Sequence, residues 1–374
     1  MSAPKTITTR STLPASSPQK PWSHHLTIDT LYRVLQRTLL SPFIAWIIVL
    51  CLRAQVTPPT APAFVGAVAY AILISGLFIA QTINHRVAHG IPRTVDSDRE
   101  VVLVTGGASG LGLLISQIYA MKGAAVAVLD IRVFGGGDEE RDGVLGEGVC
   151  YYRCDVSVRS ELEEVKKKVE MELGTPTIII NCAAARINGD ILLNLPVDAF
   201  EKTLRTNLMA AFHLYQTFLP DIIAKAENGG TIVTVSSVLG QLSPAGLSDY
   251  SASKAGLSAL HRTMEAELRE HEQIKMLLVE TGQMATPLFG WVRTPSHFFA
   301  PVLEPVEVAR EIVAAIDSGH GGVLRLPAFA KLVSLYAILP GAVQQVARYM
   351  SGIDQAVASG NRNGHKSAKK DRVD

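Results

Sequence analysis

From about residue 98 onward, the chain alternates short β-branched runs with stretches of helical spacing, and this alternation most constrains its fold. The apolar runs include VVLVTGG, AAVAVLD, VCYYRCDVS, TIIINCAAA, GTIVTVSS and IKMLLVET. Between them lie helical stretches such as LGLLISQIYAMKG and ELEEVKKKVEMELG. Strands that alternate with helices of this length form right-handed crossovers between parallel strands. The sequence therefore predicts an α/β fold, a doubly wound parallel sheet over residues 98–325.

Two uncharged apolar stretches precede this domain. Residues 38–52 are densely apolar but interrupted by Pro42, whereas residues 54–84 supply the ~20 apolar residues that a bilayer-spanning helix needs. We therefore expect N-terminal hydrophobic membrane helices within residues 31–93, preceded by a disordered Ser/Thr/Pro-rich tail at residues 1–30. The alternative is a soluble enzyme whose N-terminal segments pack as core helices.

Basic residues flank the two apolar stretches. Three precede the first stretch, two follow the second and one lies between them: Lys20, Arg33 and Arg37, then Arg86 and Arg93, with Arg53 in the connector. Positively charged loops tend to stay on the cytosolic side of a membrane. This distribution favours a hairpin that leaves both the tail and the main domain in the cytosol.

Net charge and cysteine content exclude several classes of function. The formal net charge is only +1 and no basic stripe with interleaved aromatic residues occurs, so we expect no nucleic-acid partner. Four scattered cysteines fit a reducing compartment: Cys51, Cys150, Cys154 and Cys182. No cluster of His and Cys completes a metal site, and we therefore expect no metal.

A glycine-rich turn, TGGASGLG at residues 105–112, joins the first predicted strand to the following helix. Glycines there allow close approach of the backbone to a pyrophosphate, which the N-terminus of the helix stabilises, as in a Rossmann-type fold. Asp130, at the end of the second strand, is placed to accept hydrogen bonds from the adenosine ribose and to repel a 2′-phosphate. NAD is therefore favoured, but Arg132 leaves NADP open because a guanidinium can pair with that phosphate.

Tyr250 and Lys254 lie four residues apart in YSASK and therefore share one face of a predicted helix. A free phenol has a pKa of about 10, and a neighbouring ammonium favours the phenolate. Ser237 precedes Tyr250 at the end of the strand IVTVSS, where its hydroxyl is placed to hold a substrate oxygen. These three side chains predict general acid–base chemistry on an alcohol or a carbonyl.

These motifs resemble those of the short-chain dehydrogenase/reductase family over residues 98–325. TGGASGLG matches the cofactor motif TGxxxGxG, YSASK matches the YxxxK active site, and Ser237 falls at the position of the catalytic serine. Asn207, in TNLMAAF, matches the helix asparagine that supports a proton-relay water by way of the lysine. The resemblance implies hydride transfer between an alcohol carbon and the nicotinamide, with Asn207, Ser237, Tyr250 and Lys254 as catalytic residues.

The resemblance also implies the cofactor contacts. Asn181-Cys182-Ala183-Ala184 is similar to the family's NNAG element with two replacements, and Thr281-Gly282 stands where Pro-Gly is usual. Asp155 matches the adenine-contacting aspartate, with Val156 beside it. The expected cofactor-binding residues are Thr105, Gly106, Ser109, Gly110, Leu111, Gly112, Asp130, Asp155, Val156, Asn181, Ala183, Tyr250, Lys254, Gly282 and Thr286.

The hydrophobic N-terminus and the stretch LPAFAKLVSLYAILP resemble the microsomal and lipid-droplet branch that acts on retinoids, steroids and other lipophilic alcohols. This branch implies a lipophilic substrate and a cytosol-facing domain on the endoplasmic reticulum and/or lipid droplet. The wider family commonly forms homodimers, so a homodimer is possible here, and the sequence leaves the oligomeric state open. Residues 326–360 form an apolar extension. We expect it either to lie on the membrane or at the entry of the substrate, or to pack as a helix on the domain. Residues 361–374 form a polar tail. Trp291, Phe298 and Phe299 are candidates for the wall of an apolar pocket.

Two other functions stay open from the sequence alone. One is a catalytically silent, cofactor-binding scaffold at a membrane or lipid droplet, because a fold by itself does not establish catalysis. The other is an NADPH-dependent ketoreductase for another class of substrate. The four catalytic positions favour an enzyme over the scaffold, since a binding module needs none of them in register.

Overall fold

Eight strands form one sheet at the centre of the protein in the computed structural model, which describes residues 27–132, 143–144, 148–225, 229–290, 292, 294 and 296–357. The strands are β1 (Val101–Thr105), β2 (Ala125–Asp130), β3 (Gly143–Val144), β4 (Val149–Arg153), β5 (Ile178–Asn181), β6 (Gly230–Ser237), β7 (Ile274–Thr281) and β8 (Gly322–Leu326). Their order across the sheet is β3-β4-β2-β1-β5-β6-β7-β8. All neighbours are parallel except the two-residue edge strand β3.

Helices cover both faces of the sheet. They are α4 (Gly110–Met121), α5 (Arg159–Glu172), α6 (Val197–Leu204), α7 (Ala210–Lys225), α8 (Leu239–Leu242), α9 (Ser248–Glu267), α10 (Pro305–Asp317), α11 (Ala330–Tyr336) and α12 (Gly341–Ser351). Ile115 of α4 and Ile312 of α10 belong to the apolar core on one face. Leu162, Leu214 and Leu257 bring α5, α7 and α9 into the core on the other. The predicted Rossmann-type, doubly wound sheet is therefore confirmed.

Strand β8 is present in the structure but is not one of the six strands that the sequence patterns predict. It pairs in parallel with β7, from Leu277 opposite Gly322 to Thr281 opposite Leu326. The strand is largely half-buried because it forms the edge of the sheet, and Arg325 interrupts its apolar run. A short edge strand with a charged residue lacks the continuous β-branched signal of a central strand.

The apolar spacing of residues 199–223 is typical of one continuous helix, but in the structure a π-helical turn divides it. Helix α6 ends at Leu204, the π-turn spans Arg205–Met209, and α7 continues from Ala210. Single π-turns inside helices occur frequently at functional sites. Here the turn contains Asn207, one of the four residues predicted to be catalytic.

Within the described residues, three α-helices precede the sheet: α1 (Ile28–Arg37), α2 (Pro42–Ala54) and α3 (Pro62–His89). Pro42 begins α2, where its missing N–H costs no helical hydrogen bond. Helices α2 and α3 pack through Ala45, Val49 and Ala71. Helix α3 is long and apolar enough to cross a membrane, while α1 and α2 would count as a second span only if the pair, bent by 53°, is taken as one. Helix α1 begins inside the expected tail, whose residues 1–26 lie outside the described part.

Arg93 anchors the segment after α3 to the bottom edge of the sheet, where the strands begin. Its guanidinium forms a buried ion pair with Glu100 and donates to the Thr177 carbonyl at 3.3 Å and to Thr231 Oγ1 at 3.2 Å. Its backbone N–H donates to the carbonyl of Gly319 at 2.9 Å. The charge of Arg93 is therefore neutralised inside the protein. Of the two basic residues that follow the second apolar stretch, Arg86 is the exposed one.

Candidate active site

The glycine-rich turn between β1 and α4 leaves no room for a side chain at Gly106 or at Gly112. Gly106 has a φ of +66°, and a Cβ there would lie 2.9 Å from the Ala183 Cα. A Cβ on Gly112 would lie 2.5 Å from the Gly106 carbonyl oxygen. Only glycine fits these two positions. The turn therefore brings the bare backbone and the N-terminus of α4 together, which suits the pyrophosphate of a dinucleotide.

Asp130 ends β2 beside this turn. One carboxylate oxygen accepts from the Ala108 N–H at 3.1 Å, and the other accepts from the Arg132 N–H at 3.0 Å. The Arg132 guanidinium reaches across and donates to Ser109 Oγ at 3.1 Å. Each carboxylate oxygen keeps a second lone pair, so Asp130 retains the capacity to accept from ribose hydroxyls.

Several other expected cofactor residues lie at or just after the ends of β1, β4 and β5. Thr105 Oγ1 donates to Asn181 Oδ1 at 2.9 Å and accepts from the Ala183 N–H at 3.3 Å, so β1 and β5 are joined at this edge. Leu111 and Val156 are buried in the two cores. The carboxylate of Asp155 accepts from the backbone and hydroxyl of Ser157, and it closes the turn after β4.

Thr286 provides a further test of whether a nicotinamide cofactor fits. Its Oγ1 is inaccessible and has no hydrogen-bond partner within the described residues. Its methyl group lies 4.0 Å from the position of a Cβ on Gly110, so it faces the N-terminus of α4. Buried hydroxyls are rarely left without a partner. A carboxamide donor or acceptor bound at this place would satisfy it, which agrees with the expected role of Thr286.

Helix α9 and strand β6 bring Ser237, Tyr250 and Lys254 into one buried site. The Lys254 Nζ lies 5.8 Å from the centre of the Tyr250 ring and donates to the Val235 carbonyl at 2.9 Å. Ser237 Oγ donates to the Thr281 carbonyl at 3.0 Å and accepts from the Leu239 N–H at 3.2 Å. The structure thus brings together three of the four residues that the sequence predicts to be catalytic.

Burial controls the charge states in this site. It raises the pKa of Tyr250 above the usual value for a phenol, while a hydrogen bond with Ser237 acts in the opposite direction. Burial also lowers the pKa of Lys254 to about 8, and the nearby Cys182 thiol acts in the opposite direction. A buried phenolate needs positive charge nearby, and Lys254 is the adjacent cation that can supply it.

Asn207 lies one layer behind Tyr250 and Lys254. Its Oδ1 accepts from the Ala185 N–H at 2.7 Å, and its Nδ2 donates to Ser253 Oγ at 2.9 Å. Ser253 in turn donates to the Tyr250 carbonyl at 2.7 Å. The amide therefore connects the segment after β5 to the turn of α9 that carries Tyr250. Neither of its two hydrogen bonds is to Lys254.

Cys182 departs from the family's pattern, which has a second asparagine here. Burial raises the pKa of its thiol to about 12, although the charge of Lys254 favours the thiolate. The thiol is therefore neutral near pH 7 and unsuited to act as a nucleophile. It fills space beside Lys254 without adding a charge to the site.

A largely apolar cavity of about 470 Å³ adjoins the buried tyrosine. Phe289 forms its inner wall and packs edge-on against Tyr250, with ring centres 5.8 Å apart. Val238 and Gly282, which also line the cavity, directly follow Ser237 and Thr281. The rest of the lining includes residues of the loop after β7 and of α11 and α12, among them Phe299, Ala300, Leu332, Val333, Tyr336, Ala347 and Met350.

The aromatic candidates for this wall have different outcomes. Phe299 lines the cavity, and Phe298 packs against it with ring centres 5.0 Å apart. Trp291 lies outside the described residues. Phe289 was not singled out from the sequence, although its position seven residues after Gly282, in the same loop as the other aromatic candidates, was the available signal.

A Rossmann-type sheet, a glycine turn with Asp130, and a buried Ser–Tyr–Lys group together define an oxidoreductase that acts on CH–OH groups with a nicotinamide cofactor. The family model of the short chain dehydrogenases matches residues 100–296. The chain belongs to this short-chain dehydrogenase/reductase family, as its motifs predicted.

Several relatives resemble most of the described part of the chain. An uncharacterized oxidoreductase of Saccharomyces cerevisiae is 32% identical over 71% of this chain and 86% of its own length. Mouse epidermal retinol dehydrogenase 2 is 34% identical over 58% of this chain and 71% of its own length. Human short-chain dehydrogenase/reductase 3 is 30% identical over 69% of this chain and 85% of its own length.

Proposed function

We propose that this protein interconverts a lipophilic alcohol and its carbonyl, with NAD as the preferred cofactor, while anchored to a membrane by its N-terminal helices. The apolar cavity next to Tyr250 is the observation that carries the proposal. Its volume of about 470 Å³ falls in the range of roughly 300–1,000 Å³ that small-molecule sites occupy. Relatives that are named retinol dehydrogenases support a substrate of the same character.

The electrostatics of the cavity favour an uncharged substrate. Among the described residues that line the cavity, Arg348 is the one cationic side chain, and its guanidinium is paired with Asp354 at 2.5 and 3.0 Å. The same guanidinium donates to the carbonyls of Leu242 and Ser243. Because its donors are engaged, Arg348 leaves little capacity for a carboxylate or phosphate on the substrate. A hydroxyl or carbonyl is then the polar group that the Tyr250 end of the cavity accommodates.

The proposed chemistry assigns one task to each residue of the site. In the oxidative direction Tyr250, as phenolate, takes the proton from the alcohol oxygen, and Ser237 holds that oxygen in place. A nicotinamide held at the end of the site near Gly282 and Thr286 would supply the acceptor for the hydride that leaves the carbon. Lys254 stabilises the phenolate, and its fixed bond to the Val235 carbonyl keeps the ammonium beside the phenol ring. In the reductive direction Tyr250 returns the proton.

Asn207 is proposed to position this group rather than to contact the substrate. It holds the α9 turn through Ser253, and its π-turn directs the amide toward the segment after β5. In the family's mechanism, the helix asparagine supports a water that connects the active-site lysine with solvent. We propose that Asn207 supports such a water beside Lys254. Gly282 and Thr286 are proposed to close the nicotinamide side of the site.

The most direct experiment is an alcohol screen with detergent-solubilised full-length protein. Retinol, a steroid alcohol and hexadecanol are each tested with NAD and with NADP, and nicotinamide absorbance is recorded. We expect reduction of NAD with at least one of the three and a much higher kcat/KM than with ethanol. Activity confined to small polar alcohols would contradict the lipophilic substrate, and no turnover of any alcohol or carbonyl would favour the scaffold.

The anchor has its own test in carbonate extraction of membranes that contain the full chain. Helix α3 predicts that the protein stays in the membrane pellet, because about 20 apolar residues suffice to hold a spanning helix. Release into the supernatant would contradict the anchor and leave the catalytic proposal untouched.

A further inference from the structure

An exposed apolar surface surrounds the outer end of the cavity. We call it the α11–α12 face, and it consists of Leu332, Leu335, Ile338, Val343, Val346, Tyr349 and Met350. Ile338, Tyr349 and Met350 are 76%, 87% and 81% exposed. The opposite side of α11 is buried, because Ala330 and Val333 pack against Val238. Large exposed apolar patches on otherwise well-packed proteins mark interaction sites.

The mouth of the cavity opens through this face. Leu332 and Met350 line the cavity, yet each is more than half exposed. Phe299, which lies opposite them in the loop after β7, shares both properties. A side chain that is exposed and also lines a cavity stands at its rim. Whatever covers the face therefore also controls entry to the cavity.

Helix α1 joins the face to the membrane helices. Asp29 Oδ1 accepts from the Ala328 N–H at 2.6 Å, and the Ile28 N–H donates to the Phe298 carbonyl at 3.0 Å. The Lys331 Nζ lies 4.7 Å from the centre of the Tyr32 ring. Helix α1 continues after a four-residue connection into α2, so the chain passes directly from the rim of the cavity to its most apolar segment.

The charges around the face suit anionic lipid. Lys331 is the one charged residue among residues 326–347, and α1 adds Arg33 and Arg37, all three exposed. Arg348 is already paired with Asp354 and adds no free charge. An apolar face bordered by Lys and Arg is the pattern of helices that lie in a bilayer interface, where basic residues are attracted to anionic lipid. A second copy of the chain would bring the same cations together and would be repelled.

We propose that the α11–α12 face docks into the surface of a lipid bilayer, so that the cavity takes up its substrate from the bilayer and not from water. This inference rests on the proposed membrane anchor and lipophilic substrate. It adds that the route of the substrate passes between Phe299, Leu332 and Met350. The hydrophobic helices then do more than tether the enzyme, because they hold the mouth of the cavity against the lipid.

The first test measures docking without catalysis. Full-length protein with Cys51→Ser carries an environment-sensitive label at Tyr349→Cys or, as the control, at Met171→Cys on α5, which is 80% exposed. The labelled Cys51→Ser parent supplies the background. In phosphatidylcholine nanodiscs with phosphatidylserine, a lipid-borne quencher should quench the label at residue 349 and spare the label at residue 171. Equal quenching at both sites overturns the proposal. A change in the fluorescence of the label at residue 349 that depends on protein concentration and not on lipid overturns it as well.

The second test measures uptake of substrate in the same nanodiscs. Leu335 and Val346 belong to the face but do not line the cavity. Leu335→Glu with Val346→Glu should raise the KM for hexadecanol about tenfold, because two apolar contacts with lipid are replaced by charges. The kinetics with water-soluble cyclohexanol should stay unchanged, as should all kinetics of Met171→Glu. An unchanged KM for hexadecanol overturns the route. If the wild type oxidises none of the lipophilic alcohols of the screen, the proposed function fails, while the quenching result still decides whether the face docks.

Discussion

The side-chain amide of Asn207 donates to the hydroxyl of Ser253 at 2.9 Å, and this bond connects a π-helical turn to the helix that carries Tyr250 and Lys254. Both side chains are fully buried. A regular α-helix through residues 205–209 would rotate the amide away from this partner. The irregular turn is therefore part of how the site is built, since it aims one polar side chain at two elements simultaneously.

Replacing Asn207 with Leu should lower kcat about a hundredfold and leave the affinity for NAD within about threefold of the wild type. The reason is that the bonds to Ala185 and Ser253 position α9, whereas the glycine turn and Asp130 hold the other end of the cofactor. Steady-state kinetics and NAD titration by fluorescence measure the two quantities. Asn194→Ala, at an exposed position, is the control. Loss of NAD binding together with kcat would contradict a positioning role.

Asp130→Ser should weaken NAD about tenfold to a hundredfold, because charge-assisted hydrogen bonds contribute roughly 1.5–3 kcal/mol each. It should improve the use of NADP, since the negative charge that repels the 2′-phosphate is removed. Arg132→Ala should leave NAD kinetics unchanged and reduce any residual activity with NADP. These effects are read from kcat/KM with each cofactor. A wild-type preference for NADP that disappears in Arg132→Ala would show that Arg132, and not Asp130, determines the cofactor.

His261 should make the stability of the fold depend on pH below neutrality. Burial, with a smaller contribution from Arg262, lowers its pKa from 6.5 to about 4, and its Nδ1 is hydrogen-bonded to Thr234 at 2.7 Å. The unfolded chain therefore binds more protons than the folded chain between about pH 4 and 6.5, so stability is complete above this window and falls as pH decreases through it. The loss at about pH 5 should be roughly 2 kcal/mol.

The matched variant for this prediction is His261→Gln, which keeps a hydrogen-bonding group near Thr234 but does not titrate. Thermal unfolding in detergent at about pH 7 and about pH 5 should show a smaller decrease of Tm for the variant than for the wild type. Equal decreases in both proteins would mean that other groups cause the acid sensitivity.

Gly106→Ala should abolish tight cofactor binding, because the residue has a φ of +66° and its new Cβ would lie 2.9 Å from the Ala183 backbone. Relief of this contact requires the turn or the segment after β5 to move, and both belong to the cofactor site. Gly341→Ala is the matched control, since nothing lies within 4 Å of a Cβ there. Isothermal titration with NAD compares the two variants, and wild-type affinity in Gly106→Ala would refute the proposed geometry of the turn.

Sequence reasoning reached the parts of this protein whose signals are local. Strands β1 and β5 are uninterrupted apolar runs because both of their faces are buried, and Tyr250 and Lys254 lie in one turn of one helix. Strand β8 was missed because an edge strand with Arg325 carries no such run. The π-turn was also missed, since residues 199–223 keep helical apolar spacing on both sides of it.

The cavity was hardest to foresee because it is assembled from distant segments. Phe289 contacts Tyr250 only because the loop after β7 folds back over α9. The charge of Arg348 is neutralised by Asp354, and its guanidinium also donates to a carbonyl 106 residues earlier in the chain. The residues that line the cavity are therefore separated in sequence, whereas the residues proposed to carry the chemistry lie in short motifs.

The most direct test of the central claim compares Tyr250→Phe with Tyr119→Phe in an assay of NAD reduction by the best lipophilic alcohol. Tyr119 is a second buried tyrosine, and its hydroxyl has no hydrogen-bond partner within the described residues, so its removal should change neither fold nor rate. Tyr250→Phe should bind NAD normally but lose about 10²–10⁴-fold in kcat, the usual contribution of a general acid–base group. Undiminished turnover in Tyr250→Phe, with NAD still bound, would contradict the mechanism.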